Sequence, residues 1–349
     1  MDEHIADAIA RPDLIRLERG LVCLRFETMK VVSALAAVER LLERGRVRPG
    51  DTLLDSSSGI YAYALAVACH RYGLGCHIVG STTIDSALHN QLVLLGCRLE
   101  RVEPSADLKL DQSLRVRRVR QLLHENPDYH WMRQYHDDIH YLGYRTIADR
   151  IRAELDSDSL TVVGGVGSGA STGALAKYLR GADTDVTLVG VQPFGSVTFG
   201  SDHVSDNEMI IAGIGSSIPF GNVDHTAYDT LHWISFSTAL SGSTDLLRRH
   251  AVFAGLSSGA AYLAARWERY EGASGPVLFI AADTGHRYNE AVFSRAEAAE
   301  DIAELAPRPV VSTTELTMPW SRMRWDRACA PPGARGEWER ETTPLGGAG

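Results

Sequence analysis

The sequence predicts an α/β protein made of two doubly wound domains with a cleft between them. Two observations carry that prediction. Short apolar runs alternate with stretches whose apolar residues fall at helical spacing, and this rhythm runs through two sets, one before Trp131 and one after it. The loops that leave the apolar runs collect glycine, serine and threonine, and in open parallel sheets ligands sit there, beyond the carboxyl ends of the strands.

Residues 12–26 read as an extended opening through Leu14, Ile15, Leu17, Leu21, Val22, Leu24 and Phe26. After Lys30, the residues Ala34, Leu35, Ala37, Val38, Leu41 and Leu42 recur at helical spacing, and Gly45 closes that helix. A strand at 51–54 runs into Ser56-Ser57-Ser58-Gly59, and a helix at 61–72 follows. Strand 76–79, helix 85–95, strand 97–102 and helix 110–124 complete the first set. The last helix stops before Asn126-Pro127, because the residue ahead of a proline avoids helical geometry. The second set places strands at 160–163, 186–191, 231–236 and 277–281, and helices near 144–154, 172–180, 238–250 and 258–271. These elements divide into a smaller domain, 34–142, and a larger one, 12–33 plus 143–305. From 306 onward, Pro307-Arg308-Pro309, Pro331-Pro332 and a glycine-rich end predict an irregular, flexible or draped tail, with Trp320 and Trp325 hinting that part of it packs on something, a neighbouring subunit being one option.

A chain of 349 residues, 44% hydrophobic and 23% charged, suits two domains with sizeable cores. Its net charge of −9 argues against a nucleic-acid binder, which would carry a basic face. The absence of an apolar run of about 18 residues argues against a membrane span. Met1-Asp2-Glu3-His4 lacks the basic and apolar parts of a signal peptide. Cys23, Cys69, Cys76, Cys97 and Cys329 are odd in number with no CxxC pair, which suits reduced thiols in a cytoplasmic protein.

The stretch Gly164-Gly165-Val166-Gly167-Ser168-Gly169-Ala170-Ser171-Thr172-Gly173 joins a strand to a helix. Small side chains let backbone N–H groups approach an anion, and the helix start adds free N–H groups and a favourable dipole. The loop lacks the G-K-[ST] ending of a nucleotide-binding loop and lies mid-chain, so a smaller phosphorylated cofactor is expected. Three other pieces fall at strand ends: Phe26-Glu27-Thr28-Met29-Lys30, Asp55-Ser56-Ser57-Ser58-Gly59 and Ala282-Asp283-Thr284-Gly285-His286-Arg287-Tyr288. His136 and His140 flank Asp137-Asp138 without a third ligand, which reads as a polar helix start, and no metal site is expected. His250 reads as a helix-end dipole partner.

Together these pieces resemble the cysteine synthase / cystathionine β-synthase family, the fold-type II pyridoxal-phosphate enzymes of the tryptophan synthase β-like kind. The motifs stand in family order. They are Gln134-Tyr135, the phosphate cup Gly167-Ser168-Gly169-Ala170-Ser171, the mobile Gly213-Ile214-Gly215, Gly255-Leu256-Ser257-Ser258-Gly259-Ala260-Ala261, and Asp283-Thr284-Gly285-His286-Arg287-Tyr288. Within the family, Gly195-Ser196-Val197-Thr198-Phe199-Gly200 is most similar to the staphyloferrin B branch, which joins O-phosphoserine to glutamate on the way to 2,3-diaminopropionate. The resemblance implies pyridoxal 5'-phosphate as cofactor, bound as an imine to Lys30 and held by Gly167, Ser168, Gly169, Ala170 and Ser171, with Thr284 facing its ring nitrogen. It implies a substrate carboxylate clamped by Ser57, Ser58 and Gly59, with Gln134 and Gly213 beside it. The implied reaction is β-replacement on an activated L-serine (O-phosphoserine or O-acetylserine) through an aminoacrylate, with an amine or thiol as nucleophile, in a homodimer serving secondary metabolism. Two departures stand out: Ile60 replaces the family asparagine that bonds the cofactor's ring hydroxyl, and the segment before Lys30 is about six residues short. They leave open a catalytically altered or inactive binding protein, while a serine/threonine dehydratase or racemase would use the same fold.

Overall fold

The structure, a computed structural model, describes residues 1–329 except 58, 83, 104–107, 182–183 and 209–212. Helix α1 (Ile5–Ile9) precedes a hairpin of β1 (Asp13–Glu18) and β2 (Leu21–Arg25). Then α2 (Lys30–Glu43), β3 (Thr52–Ser56), α3 (Ile60–Tyr72), β4 (Gly75–Ser81), α4 (Ser86–Leu94), β5 (Arg98–Val102), α5 (Leu108–Glu125) and β6 (Tyr129–Trp131) alternate. A 3-10 turn, Asp138–Tyr141, leads to α6 (Tyr144–Leu155), β7 (Ser159–Gly165), α7 (Ala170–Arg180), β8 (Asp185–Gln192), β9 (Thr230–Ile234), α8 (Phe236–His250), α9 (Leu256–Tyr270) and β10 (Val277–Ala281). Last come β11 (Arg308–Pro309) and β12 (Trp320–Arg324).

Two sheets form. One is all parallel, in the order β5-β4-β3-β6, and the other runs β1-β2-β10-β7-β8-β9-β12-β11 with a parallel centre from β2 to β9. Strands covered on both faces read as unbroken apolar runs, because neighbouring residues serve opposite cores. In β7, Val162 belongs to the core shared with α6 and α7, while Val163 belongs to the core shared with α8 and α9. In the smaller sheet, Leu53 and Ile78 meet α2, α3 and α4, whereas Leu54 and Val79 meet Val119 and Leu122 of α5.

The strand–helix order is the expected one, with additions: α1, the short β6 and the two C-terminal strands. The expectation of an irregular tail from 306 is corrected for residues 308–324. β12 pairs antiparallel with β9, and Trp320 and Trp325 are buried within this chain's own cores, not offered to a neighbour. Residues 330–349 lie outside the described residues. A buried polar network anchors the strand. Trp320 Nε1 donates to His232 Nδ1 (2.9 Å), so the ring proton is on Nε2, which donates to Glu268 Oε1 (2.8 Å). The Arg322 guanidinium grips the same carboxylate at 2.6 and 3.0 Å. Burial alone would raise the Glu268 carboxyl, but its bonds from His232 and Arg322 draw it down to about 2. Replacing Glu268 with Leu strands two donors, so we expect a loss of about 3 kcal/mol and a lower melting temperature. Calorimetry checks this, and an unchanged transition would mean that the ladder and apolar packing hold β12 unaided.

Candidate active site

Lys30 is delivered by the end of β10. Phe26 N–H donates to Ala281 O (2.9 Å), Met29 N–H donates to Ala282 O (2.8 Å), and Thr28 bridges Asp283. The chain then turns into α2, whose first residue is Lys30. Its side chain lines a cavity whose wall also holds Ile60, Gly165, Gly213, Ser257 and Asp283. Burial disfavours the charged amine and lowers it from 10.5 to about 8. The chain has three lysines. Among the described residues Lys30 is the one on this wall, while Lys177 is exposed late in α7.

The glycine-rich loop begins where β7 ends. Gly169 sits at φ +78°, a left-handed conformation that suits glycine, and caps α7. The first backbone bond of the helix runs from Gly173 N–H to Gly169 O (2.9 Å). Among the described residues no carbonyl accepts from the N–H groups of residues 167–172. Ser168 and Ser171 are buried beside them. The loop is glycine-rich because it has close neighbours: a Cβ on Gly167 would overlap the carbonyl oxygen of Gly213, and one on Gly165 would overlap Ile214. Gly215 N–H donates to Val166 O (2.9 Å), so segment 213–215 lies against the cup, and Gly213 joins it to the cavity wall. A row of unspent donors at a helix start fits a phosphate dianion.

At the other end of the wall the structure favours a residue other than Thr284. That residue is not on the cavity wall, and its Oγ1 is engaged by His286 Nδ1 (3.0 Å). Ser257 is on the wall. Ala254 bridges Thr284, Ser258 Oγ accepts from Ala282 N–H (3.1 Å), and α9 therefore starts at the edge of the cavity. Among the described residues the Ser257 hydroxyl has no hydrogen-bond partner, so it is the group free to face a ring nitrogen. Its signal was in the Gly255–Ala261 motif. Asp283 lines the cavity. Tyr288 O–H donates to its Oδ2 (3.3 Å), Oδ1 is buried without a partner, and burial pushes the carboxyl up to about 6. We expect Ser257→Ala to shift the absorption band of the bound cofactor and Thr284→Ala to leave it unmoved. The reverse pattern would restore Thr284.

The loop after β3 is built on Asp55. This carboxyl, pushed up to about 7 by burial, accepts from Trp131 Nε1 (3.1 Å) and from Gln134 N–H (3.1 Å). Gln134 Nε2 in turn donates to Ser56 O (2.8 Å), and so Gln134 and the 56–59 loop are brought together. Ser57 and Gly59 form a local turn, with Gly59 N–H to Ser57 Oγ at 3.4 Å; Ser58 lies outside the described residues. Ile60 presents an apolar face to the cavity. Two residues not anticipated as site groups belong here. Arg115 of α5 donates through Nε to Ser56 Oγ (3.3 Å). Asn222 ties the Gln134 segment to the cup: its Nδ2 donates to Gln134 O (3.1 Å) and Asp137 O (3.0 Å), and its own carbonyl faces Gly169. Neither carries a pattern that marks it in sequence.

His136 and His140 do not converge on a common point. His136 Nδ1 accepts from Gly221 N–H (3.3 Å), and His140 Nε2 bonds Met132 O (3.0 Å). His250, in the last turn of α8, contacts the Tyr262 hydroxyl (3.2 Å).

The chain matches the family of pyridoxal-phosphate dependent enzymes over residues 23–283. It is 30% identical over 292 residues to an N-(2-amino-2-carboxyethyl)-L-glutamate synthase of Cupriavidus metallidurans, covering 79% of this chain and 83% of that one. It is 23% identical over 261 residues to a cysteine synthase of Staphylococcus aureus, covering 73% and 81%. In fold it is similar to an O-ureido-L-serine synthase, with a TM-score of 0.74 at 22% identity over 87% of this chain and 98% of that one. An O-acetylserine sulfhydrylase of Entamoeba histolytica gives 0.72 at 18% identity, over 82% and 90%. The fold is thus that of the fold-type II enzymes, and this chain belongs to the pyridoxal-phosphate dependent enzyme family as a member of the cysteine synthase type.

Proposed function

We propose that the protein catalyses β-replacement on an activated L-serine, with phosphate as the leaving group and an amine that carries a carboxylate as the nucleophile. The observation that carries this reading is the single cavity that joins the Lys30 amine, the Ser257 hydroxyl and, through Gly213, the row of free N–H groups at 167–172. Those groups fit the aldehyde, ring nitrogen and phosphate of pyridoxal 5'-phosphate, held by Lys30, Ser257, Gly167, Ser168, Gly169, Ala170 and Ser171. When bound, the cofactor supplies an electron sink for charge developing at the substrate Cα.

Lys30 would hold the cofactor, and its freed amine would take the proton from the substrate Cα. An amine lowered to about 8 suits a base working near neutral pH. Ser57, Ser58 and Gly59 receive the substrate carboxylate with Gln134 alongside, and Gly213 closes the cup side. Arg115, held on the Ser56 hydroxyl, is a cation at the same clamp and suits a phosphate better than an acetyl leaving group. The relative that makes N-(2-amino-2-carboxyethyl)-L-glutamate supports the carboxylated amine. Domains of 34–142 and 12–33 plus 143–305, with strands 308–324 added to the second, complete the reading. So do a homodimer, a role in secondary metabolism and a cytoplasmic location, the last supported by four buried, unpaired cysteines.

The test is product mass spectrometry after mixing O-phosphoserine or O-acetylserine with L-glutamate or sulfide. The reading predicts a β-substituted alanine, formed fastest from O-phosphoserine and L-glutamate. Pyruvate or D-serine as the main product would overturn it in favour of dehydratase or racemase chemistry.

A further inference from the structure

A carboxylate-bearing nucleophile needs a cation near the mouth of the cavity, and among the described residues the wall itself holds only Lys30. Arg287 supplies one. It follows the cavity residue Asp283 through the 3-10 turn Gly285–Tyr288, whose Tyr288 hydroxyl bonds Asp283. Its Nη2 reaches 2.7 Å to Oδ2 of Asp85, which belongs to the other sheet's half of the molecule. Asp85 caps α4 by accepting from Leu88 N–H through Oδ1 (2.7 Å). The neighbouring Ile84 packs on Gly80, beside the carbonyl of Ser57 in the clamp loop. The ion pair therefore spans the cleft between the floor at Asp283 and the clamp at Ser57. The two side chains are 30% and 45% exposed, so a dissolved carboxylate can reach them.

We infer that Arg287 is the specificity-determining receptor for the carboxylate of the amine nucleophile, and that Asp85 holds its place until that substrate arrives. This rests on the β-replacement reading above. One carboxylate exchanges for another on the same guanidinium, no covalent bond is made or broken, and the displaced Asp85 carboxylate, 45% exposed, turns to water. The exchange favours amino dicarboxylates and other acidic amines over neutral amines. It also gives Asp85 and Arg287 opposite effects, because one competes with the nucleophile and the other binds it.

The experiment compares wild type, Arg287→Ala, Arg287→Lys and Asp85→Asn as cofactor-loaded full chains. Asparagine keeps the helix cap, so Asp85→Asn removes the charge and spares α4. Two quantities are read: the KM for L-glutamate against that for a neutral amine, and direct calorimetric titration with L-glutamate. Release of the leaving group from O-phosphoserine without any amine is followed separately. We expect Arg287→Ala to raise the KM and dissociation constant for L-glutamate at least tenfold, Arg287→Lys to recover part of that, and Asp85→Asn to lower both severalfold. Leaving-group release without amine stays near wild type in all three variants. If Arg287→Ala and Asp85→Asn shift L-glutamate in the same direction, or if the neutral amine suffers equally, the pair is a plain latch and the inference falls. If no leaving group is released by any form, the β-replacement reading fails, while the calorimetric comparison still decides the role of Arg287.

Discussion

Lys30→Ala is expected to lower β-replacement by roughly 10³-fold or more, because in the proposed reading that amine is both the anchor of the cofactor and the base at Cα. The variant should still bind cofactor through the cup, less tightly, and fold normally, since the side chain stands at the edge of a cavity at the first residue of α2. The same amine sets a pH dependence. Burial lowers it to about 8, so only the neutral form, which gains ground as pH rises through 8, can attack the cofactor aldehyde. At pH 8 about half of the amines are neutral, against roughly 0.3% for a solvated lysine amine at 10.5. The rate at which cofactor-free protein captures the cofactor should therefore climb between about pH 7 and 9 and then level off. Stopped-flow absorbance measures it, and a rate still climbing steeply above pH 10 would mean that Lys30 behaves as a solvated amine.

Gly167→Val is expected to weaken cofactor binding by about 100-fold, equivalent to about 2.7 kcal/mol. The added side chain meets the carbonyl oxygen of Gly213 and forces segment 213–215 away from the cup. Strain at residue 167 also disturbs the row of N–H groups proposed for the phosphate, and charge-assisted hydrogen bonds of that kind contribute about 1.5–3 kcal/mol each. Fluorescence titration of the cofactor-free protein reads the loss, and circular dichroism checks the fold. Full affinity with an intact fold would move the phosphate elsewhere.

Much of this site was legible because the chemistry demands local signals. A loop of small residues between an apolar strand and a helix has few physical uses, so 164–173 stood out, and it does join β7 to α7. Lys30 was placed through its position ahead of the first long helix. Other features were hidden for physical reasons. Ser257 and Thr284 are both small hydroxyl residues in neighbouring motifs. Only the bridge between Ala254 and Thr284, which starts α9 at the cavity, decides which one faces inward. The C-terminal strands were obscured by Pro307, Pro309 and Pro319, which break periodicity yet are tolerated at a sheet edge. What fixes β12 is a network reaching 54 to 88 residues along the chain to Glu268 and His232, and no local pattern records it. Asn222, Arg115 and the Asp85–Arg287 pair are likewise long-range contacts between ordinary polar residues.

The account depends above all on one covalent bond at Lys30, and borohydride reduction of the cofactor-loaded protein tests it most directly. Reduction fixes the cofactor to whichever amine holds it, and peptide mass spectrometry then reads the position among the chain's three lysines. The prediction is a single pyridoxyl adduct on the peptide that contains Lys30, absent from Lys30→Ala. An adduct on Lys109 or Lys177 alone, or no adduct on fully loaded protein, would contradict it.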